Sequence, residues 1–128
     1  MKTIENHLSI HSNALNLRGK RNKILASNIA NAATPHFKAR DIDFNTEIKK
    51  YQQDGPIRVT HETHLSVKKP VAPGKVVFRK NVNPSLDGNT VELAVEQLQF
   101  AENSMRYQST LSFLNGKINT LMSAIKGE

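Results

Sequence analysis

The chain has 128 residues, with 18 Lys+Arg against 11 Asp+Glu and a formal net charge of +7; Cys and Trp are absent, aromatics make up 5% and apolar residues 38%. That length suits one domain, or an elongated element of similar mass, and excludes a large multidomain enzyme. The absence of Cys excludes disulfides, Cys-ligated zinc, iron–sulfur clusters and thiol catalysis, and the thin apolar content predicts either a modest core or long helices that finish their burial against other chains.

No run of apolar residues is long enough to predict a membrane-spanning helix. The first residues, MKTIENHLSIHSN, lack the continuous apolar segment of a cleavable secretory signal. The charge is uneven. Residues 1–86 carry a net +9 and residues 87–128 a net −2. A basic two-thirds and a mildly acidic tail can attract one another within a chain or between chains.

The first region, 1–33, has no Pro and one Gly. Its Ile4, Leu8, Leu15, Leu25 and Ile29 fall on one helical face, widened by Ile10, Ala14, Leu17 and Ile24. Thr34-Pro35 ends the pattern, because Pro disfavours helix in the residue before it. Asn22, Asn28 and Asn31 lie on or near the apolar face. Buried Asn must be hydrogen-bonded, and in a helical seam it can fix register and oligomeric state.

The middle region, 34–87, holds all five prolines. Ile57-Arg58-Val59, Leu65-Ser66-Val67 and Val76-Val77-Phe78 read as short strands, and Pro70-Val71-Ala72-Pro73-Gly74 as a turn. A small irregular or β insertion is expected there.

The third region, 88–128, gives the strongest signal. Positions 93, 97, 100, 104, 107, 111, 114, 118, 121 and 125 read Leu, Gln, Phe, Ser, Tyr, Leu, Leu, Ile, Leu, Ile, in alternating steps of four and three. This is a heptad seam. Asp87 or Asn89 is placed to cap its start, and Lys126-Gly127 to end it. A helix of this extent is roughly 50 Å long. A second stripe, Val91, Val95, Leu98, Ala101 and Met105, runs beside the first. Two stripes imply two sets of neighbours: the N-terminal helix for one and a partner chain for the other. A three-helix bundle is the alternative, but the proline-rich middle offers no third long helix. Gly116, inside this helix, costs about 1 kcal/mol relative to Ala and either admits a close neighbour or is tolerated slack.

Chemical motifs are sparse. His7 and His11 have metal-ligand spacing without a third ligand on their face, and His61-Glu62-Thr63-His64 is one residue too short for the zinc-protease arrangement. No nucleophile elbow, phosphate loop or dinucleotide fingerprint is present. No catalytic, metal or cofactor residue is expected. Arg18, Lys20, Arg21 and Lys23 pose a nucleic-acid alternative, but no stacking aromatics lie nearby in sequence and no binding motif follows. A solvated face, or one matched to an acidic neighbour, is the preferred reading.

The run Ser27-Asn28-Ile29-Ala30-Asn31-Ala32-Ala33-Thr34-Pro35-His36-Phe37-Lys38-Ala39-Arg40-Asp41 closely resembles the N-terminal signature of bacterial flagellar rod and hook proteins, Ala-Asn-x-x-Asn-x-x-Thr-Pro-Gly-Tyr followed by Lys-Ala-Arg-Asp. It departs with Ser27 for Ala, His36 for Gly and Phe37 for Tyr. Pro84-Ser85-Leu86-Asp87-Gly88-Asn89-Thr90-Val91-Glu92-Leu93 and Ala101-Glu102-Asn103-Ser104-Met105-Arg106-Tyr107-Gln108 resemble the B-type proximal-rod subunits, with the C-type rod proteins as the neighbouring alternative.

The resemblance implies a mainly α fold whose long N- and C-terminal helices form an antiparallel coiled-coil pair around a small insertion. It implies a structural, non-enzymatic subunit of the rod, the axial drive shaft that transmits torque and is required for motility. Such a subunit is exported by the flagellar type III apparatus without signal cleavage and lies in the basal body on the periplasmic side. Its implied partners are further copies, other rod proteins and the rod-to-ring adaptor, with no nucleic acid and no membrane span. The implied signature and assembly residues are Asn28, Asn31, Thr34, Pro35, Phe37, Ala39, Asp41, Gly88, Asn89, Val91, Leu93, Asn103, Tyr107, Leu111, Leu114 and Ile118.

Overall fold

The computed structural model describes residues 2–53, 74–80, 83 and 85–127. Five elements follow in chain order: helix α1 (Lys2–Ala30), strand β1 (Arg40–Ile42), helix α2 (Phe44–Gln53), strand β2 (Val76–Phe78) and helix α3 (Leu93–Lys126). The candidate strands at 57–59 and 65–67 lie outside the described residues.

The proline-free first region forms 29 residues of helix. It stops at Ala30, three residues before the expected end at Ala33. Asn31 turns back, its Nδ2 donating to the Ser27 carbonyl at 2.8 Å and its Oδ1 accepting from the Thr34 hydroxyl. The carbonyls of Asn31, Ala32 and Thr34 then face one donor, Asn89 Nδ2, at 2.9–3.1 Å. The carbonyls that a helix end leaves without partners are thus satisfied from outside.

Helix α3 extends over 34 residues, roughly 50 Å. Neither expected cap stands at its start. Glu92 occupies the N-cap position without a side-chain cap bond. Asn89 is spent on the end of α1, and Asp87 accepts from the Ser85 hydroxyl and the Asn89 N–H inside the preceding turn. The far end is as expected: Gly127 takes φ 76° and its N–H donates to the Ser123 carbonyl. A left-handed residue ends the helix at low cost only as Gly.

The two long helices run antiparallel. Asn28 meets Glu96, while Arg18 and Asn22 meet Asn103 further along. The side of α3 turned to α1 is offset from the sequence seam. Phe100, Tyr107, Leu114 and Leu121 are half-buried as placed. The alternate positions are Glu96 and Asn103, both fully buried, in place of Gln97 and Ser104. Gln97, Leu111, Ile118 and Ile125 are turned away and exposed. The reason is chemical: Glu96 and Asn103 find hydrogen-bond partners across the interface, so burial there does not require apolar side chains.

The middle region contains a helix that the sequence reading assigned to strands and loops. Asp43 opens α2, its carboxylate accepting from the N–H and hydroxyl of Thr46. Strands β1 and β2 pair antiparallel with Arg40 opposite Phe78 and Ile42 opposite Val76. Strand β1 lies against the C-terminal half of α1, where Leu17, Leu25, Ala39 and Ile42 form the buried apolar core among the described residues. Gly74 closes this corner. It has φ 62°, and a Cβ built there would lie 2.8 Å from Leu17 Cδ1 and 3.3 Å from Ile42 Cδ1.

Gly74→Ala should therefore lower stability by about 1–2 kcal/mol, through positive φ and crowding together. Thermal melts followed by circular dichroism will check it. A melt unchanged from the parent chain would contradict the close packing of this corner.

Candidate functional site

The signature residues converge on one polar junction where α1, β1 and α3 meet. Asn28 is fully buried, and its side-chain amide pairs with a peptide unit: Nδ2 donates to the Arg40 carbonyl at 2.7 Å while Oδ1 accepts the Arg40 N–H at 3.1 Å. The same Nδ2 donates to Glu96 Oε2 at 3.0 Å. On its other oxygen Glu96 accepts from Arg79 Nη1 at 2.8 Å. Arg79 also pairs with Asp41, and Asp41 accepts from Arg21 Nε at 2.8 Å and Nη2 at 2.9 Å. Arg21 Nη2 ends the chain on Gln99 Oε1. Helices α1 and α3, strand β1 and the residue that follows β2 are therefore tied by one network of two guanidiniums, two carboxylates and two amides.

The network is favourable because each buried charge has an opposite partner and further hydrogen bonds; a buried charge left alone would be strongly destabilising. Burial would raise the Asp41 carboxyl, but hydrogen bonds from Arg21, Arg79 and the Ile42 N–H outweigh it and hold the group below its ordinary value. Arg21 is pushed further up, foremost by its hydrogen bond to Asp41.

A second cluster surrounds the loop before α3. Asn89 binds the end of α1, and its Oδ1 accepts the Val91 N–H. Thr90 N–H donates to the Phe37 carbonyl, and Thr90 Oγ1 accepts the N–H of the buried Ala39. Gly88 has φ 72°, accepts from Lys38 Nζ and lies against the His36 ring, which a Cβ on Gly88 would meet at 2.8 Å. Thr34 and Pro35 are exposed on the turn and Phe37 is half-buried.

Asn28, Asn31, Thr34, Pro35, Phe37, Ala39, Asp41, Gly88, Asn89 and Val91 are thus gathered at one end of the helix pair. Asn103 and Tyr107 lie further along it, facing α1. Asn103 donates to the Arg18 carbonyl and to Asn22 Oδ1, and Tyr107 lies against Gly19. Leu93, at the start of α3 beside the junction, is about two-fifths exposed, as are Leu111 and Ile118, which lie with the half-buried Leu114 further along α3. Glu96, Arg79, Arg21 and Gln99 complete the network but were not among the expected site residues. Glu96 gave a usable signal, being one turn after Glu92 at the start of a long helix, but an apolar period passes over it.

The basic run of α1 does not present a common exposed face. Arg18 stacks on the Phe44 ring at 4.0 Å, Lys20 Nζ donates to the Gly74 carbonyl and Arg21 belongs to the junction. Only Lys23 of the four is fully on the surface. Among the described residues no helix is long and apolar enough to cross a membrane, and no three His, Asp or Glu form a metal cluster.

The sequence profile of the family described as "Flagella basal body rod protein" matches residues 8–38. The flagellar basal body rod protein FlgB of Cereibacter sphaeroides is 53% identical over 128 residues, covering all of both chains. The FlgB proteins of Aeromonas hydrophila and Escherichia coli K12 are 44% and 42% identical, each covering 93% of this chain and 92% of the relative. This chain belongs to the FlgB family of flagellar basal body rod proteins.

The family's Pro-Gly turn is kept here with another residue. His36 holds φ 60°, the one non-Gly residue in the left-handed region among those described. Its N–H donates to the Asp87 carbonyl at 3.0 Å. That bond and the ring's seat on Gly88 hold a conformation that costs an ordinary side chain about 1 kcal/mol or more.

Two outcomes test this rod-family junction. Asn28→Ala removes three hydrogen bonds and orphans the buried Arg40 peptide, and should lower stability by roughly 2–3 kcal/mol in denaturant titrations. Asp41 has a folded pKa depressed from 3.8, so its contribution is complete above about pH 4 and is lost as pH falls through the folded value. Asp41→Asn should be less stable than the parent at neutral pH and should lose less further stability on acidification below about pH 4. Parallel acid limbs for the two chains would contradict the assignment.

Proposed function

We propose that this chain is the proximal-rod subunit of the flagellar basal body, a structural component of the shaft that carries torque and is required for motility. The observation that carries this reading is full-length similarity to FlgB proteins joined to a fold that leaves apolar surface open along a long helix. Leu98 and Met105 are 67% and 62% exposed on one side, with the exposed Val95 and Phe113 on its flank. At about 100° per residue this side is opposite to Glu96 and Asn103, which face α1.

Exposed large apolar residues in this number mark a surface that is covered in an assembly. Open-ended filaments are built from heterologous, non-closing contacts, and separate open and paired sides of one helix suit that geometry. The partners we infer are other rod subunits, further copies of this chain and the rod-to-ring adaptor. The inferred route is the flagellar type III export apparatus without signal cleavage, to the periplasmic side of the basal body. The reading includes no catalysis and no cofactor. The signature residues divide into those that hold the subunit together, Asn28, Asp41 and Asn89, and those that meet neighbours, Leu93, Leu111 and Ile118.

A nucleic-acid role is not favoured, because three of the four basic side chains in the run 18–23 are engaged within the subunit.

Deletion of the gene should abolish swimming and remove rod and hook from membrane preparations viewed by electron microscopy. Restoration by the parent chain, but not by Leu98→Asp or Leu111→Asp, is the expected complementation result. Both variants should stay soluble and helical, since both positions are exposed. A deletion strain that still swims and retains its rod would end this reading.

A further inference from the structure

A hollow of about 280 Å³ lies beside Gly19, lined by Leu15, Asn16, Gly19, Lys20, Lys23 and Tyr107. Its chemistry is mixed: Leu15, Gly19 and the Tyr107 ring offer apolar surface, and two lysines stand around it. Gly19 has no conformational reason to be there. It lies inside α1, where Gly costs about 1 kcal/mol relative to Ala. Nor does packing within the subunit demand it, since the nearest atom to a built Cβ is Tyr107 Cε2 at 3.9 Å, an ordinary contact. The missing side chain leaves space without serving this chain's own fold.

At the C-terminal end of α1 the molecule carries a projecting feature of opposite charge. Leu86 projects fully, with 110% relative exposure, and the exposed Asp87 follows it. The turn that presents them is fixed: Gly88 N–H donates to the Ser85 carbonyl, the Ser85 hydroxyl and Asn89 N–H donate to Asp87 Oδ1, and His36 N–H donates to the Asp87 carbonyl. Hydrogen bonds and the neighbouring His36 hold the Asp87 carboxyl below its ordinary range, so it is charged at neutral pH. A preformed knob loses little conformational freedom on docking.

We infer that the Leu86-Asp87 knob of one copy seats in the Gly19 hollow of a second copy, Leu86 against Leu15, Gly19 and Tyr107 and Asp87 toward the exposed Lys23. The knob and the hollow are different surfaces at different heights on the molecule. From Gly19 to the end of α1 alone is about 16 Å along the helix axis. The contact is therefore heterologous, and repeated it adds copies in one direction. This inference rests on the rod-subunit reading and names a contact between its copies.

The chain contains no Cys, so introduced thiols report only the intended pair. The double variant Leu86→Cys with Asn16→Cys, expressed in the deletion strain, should form dimers and higher ladders on mild oxidation of isolated basal bodies. Each single variant should give no ladder. A double variant that swims and assembles normally but gives no ladder overturns the inference while leaving the rod-subunit reading intact. Retention of rods in the deletion strain would instead strike that underlying reading. Gly19→Leu covers the case in which paired Cys substitutions block assembly. The isolated chain should melt no lower than the parent, while the strain loses its swarming halo. Normal swarming with Gly19→Leu also overturns the inference.

Discussion

The structure depends on the pairing of Asn28 with a peptide unit and a carboxylate at once. One amide satisfies the Arg40 main chain and Glu96, and through Glu96 it reaches Arg79, Asp41 and Arg21. Without that link β1 keeps only the Asp41–Arg21 pair as a polar anchor on α1, and Glu96 is a carboxylate in a closed interface with one partner fewer. The apolar core is too small to replace it: four apolar residues are buried among those described, against five polar ones. Polar satisfaction, more than apolar volume, fixes how the insertion sits on the helix pair.

The long helices were legible because an apolar helical period survives over many turns, and their antiparallel pairing was implied by the family resemblance. The open stripe through Leu98 and Met105 was legible for the same reason, and Gly127 through the preference of a helix end for Gly. What the period could not register was polar burial. Glu96 and Asn103 are polar and fall outside an apolar seam, so the seam was placed one residue away, at Gln97 and Ser104. Helix α2 was hidden by the prolines around it. Its own evidence was present in Asp43 and Thr46, a capping pair with no Pro between Pro35 and Pro56. Asn89 was read as a helix start because its type and place suit one, yet three carbonyls at the end of α1 claim its amide. Sequence proximity to α3 gave no hint of that long-range demand.

The charge asymmetry also takes a more local meaning. Attraction between a basic front and an acidic tail is realised inside the subunit at Arg79 and Glu96. Arg106 and Glu102 pair within α3 on the surface, where such a pair contributes little. Arg18 is different. Burial, followed by the nearby charges of Arg106 and Arg21, pushes its guanidinium down from its ordinary value, and the Phe44 ring shares its surroundings. The basic segment of α1 is thus a set of individually accommodated charges rather than a field.

The two polar links between α1 and α3 carry a mechanical consequence. Glu96 and Asn103 are seven residues apart, so their contacts are separated by about 10 Å along the helix axis. An all-apolar interface can slide by a turn and find new contacts of nearly equal energy. Here a slide of one turn, about 5.4 Å, would strip Asn28 from Glu96 and Asn22 from Asn103 together, leaving buried polar groups dry on both helices. The pair should therefore answer axial shear stiffly and yield abruptly rather than creep. In an element that passes rotary load from one end to the other, such stiffness limits the twist lost within each subunit.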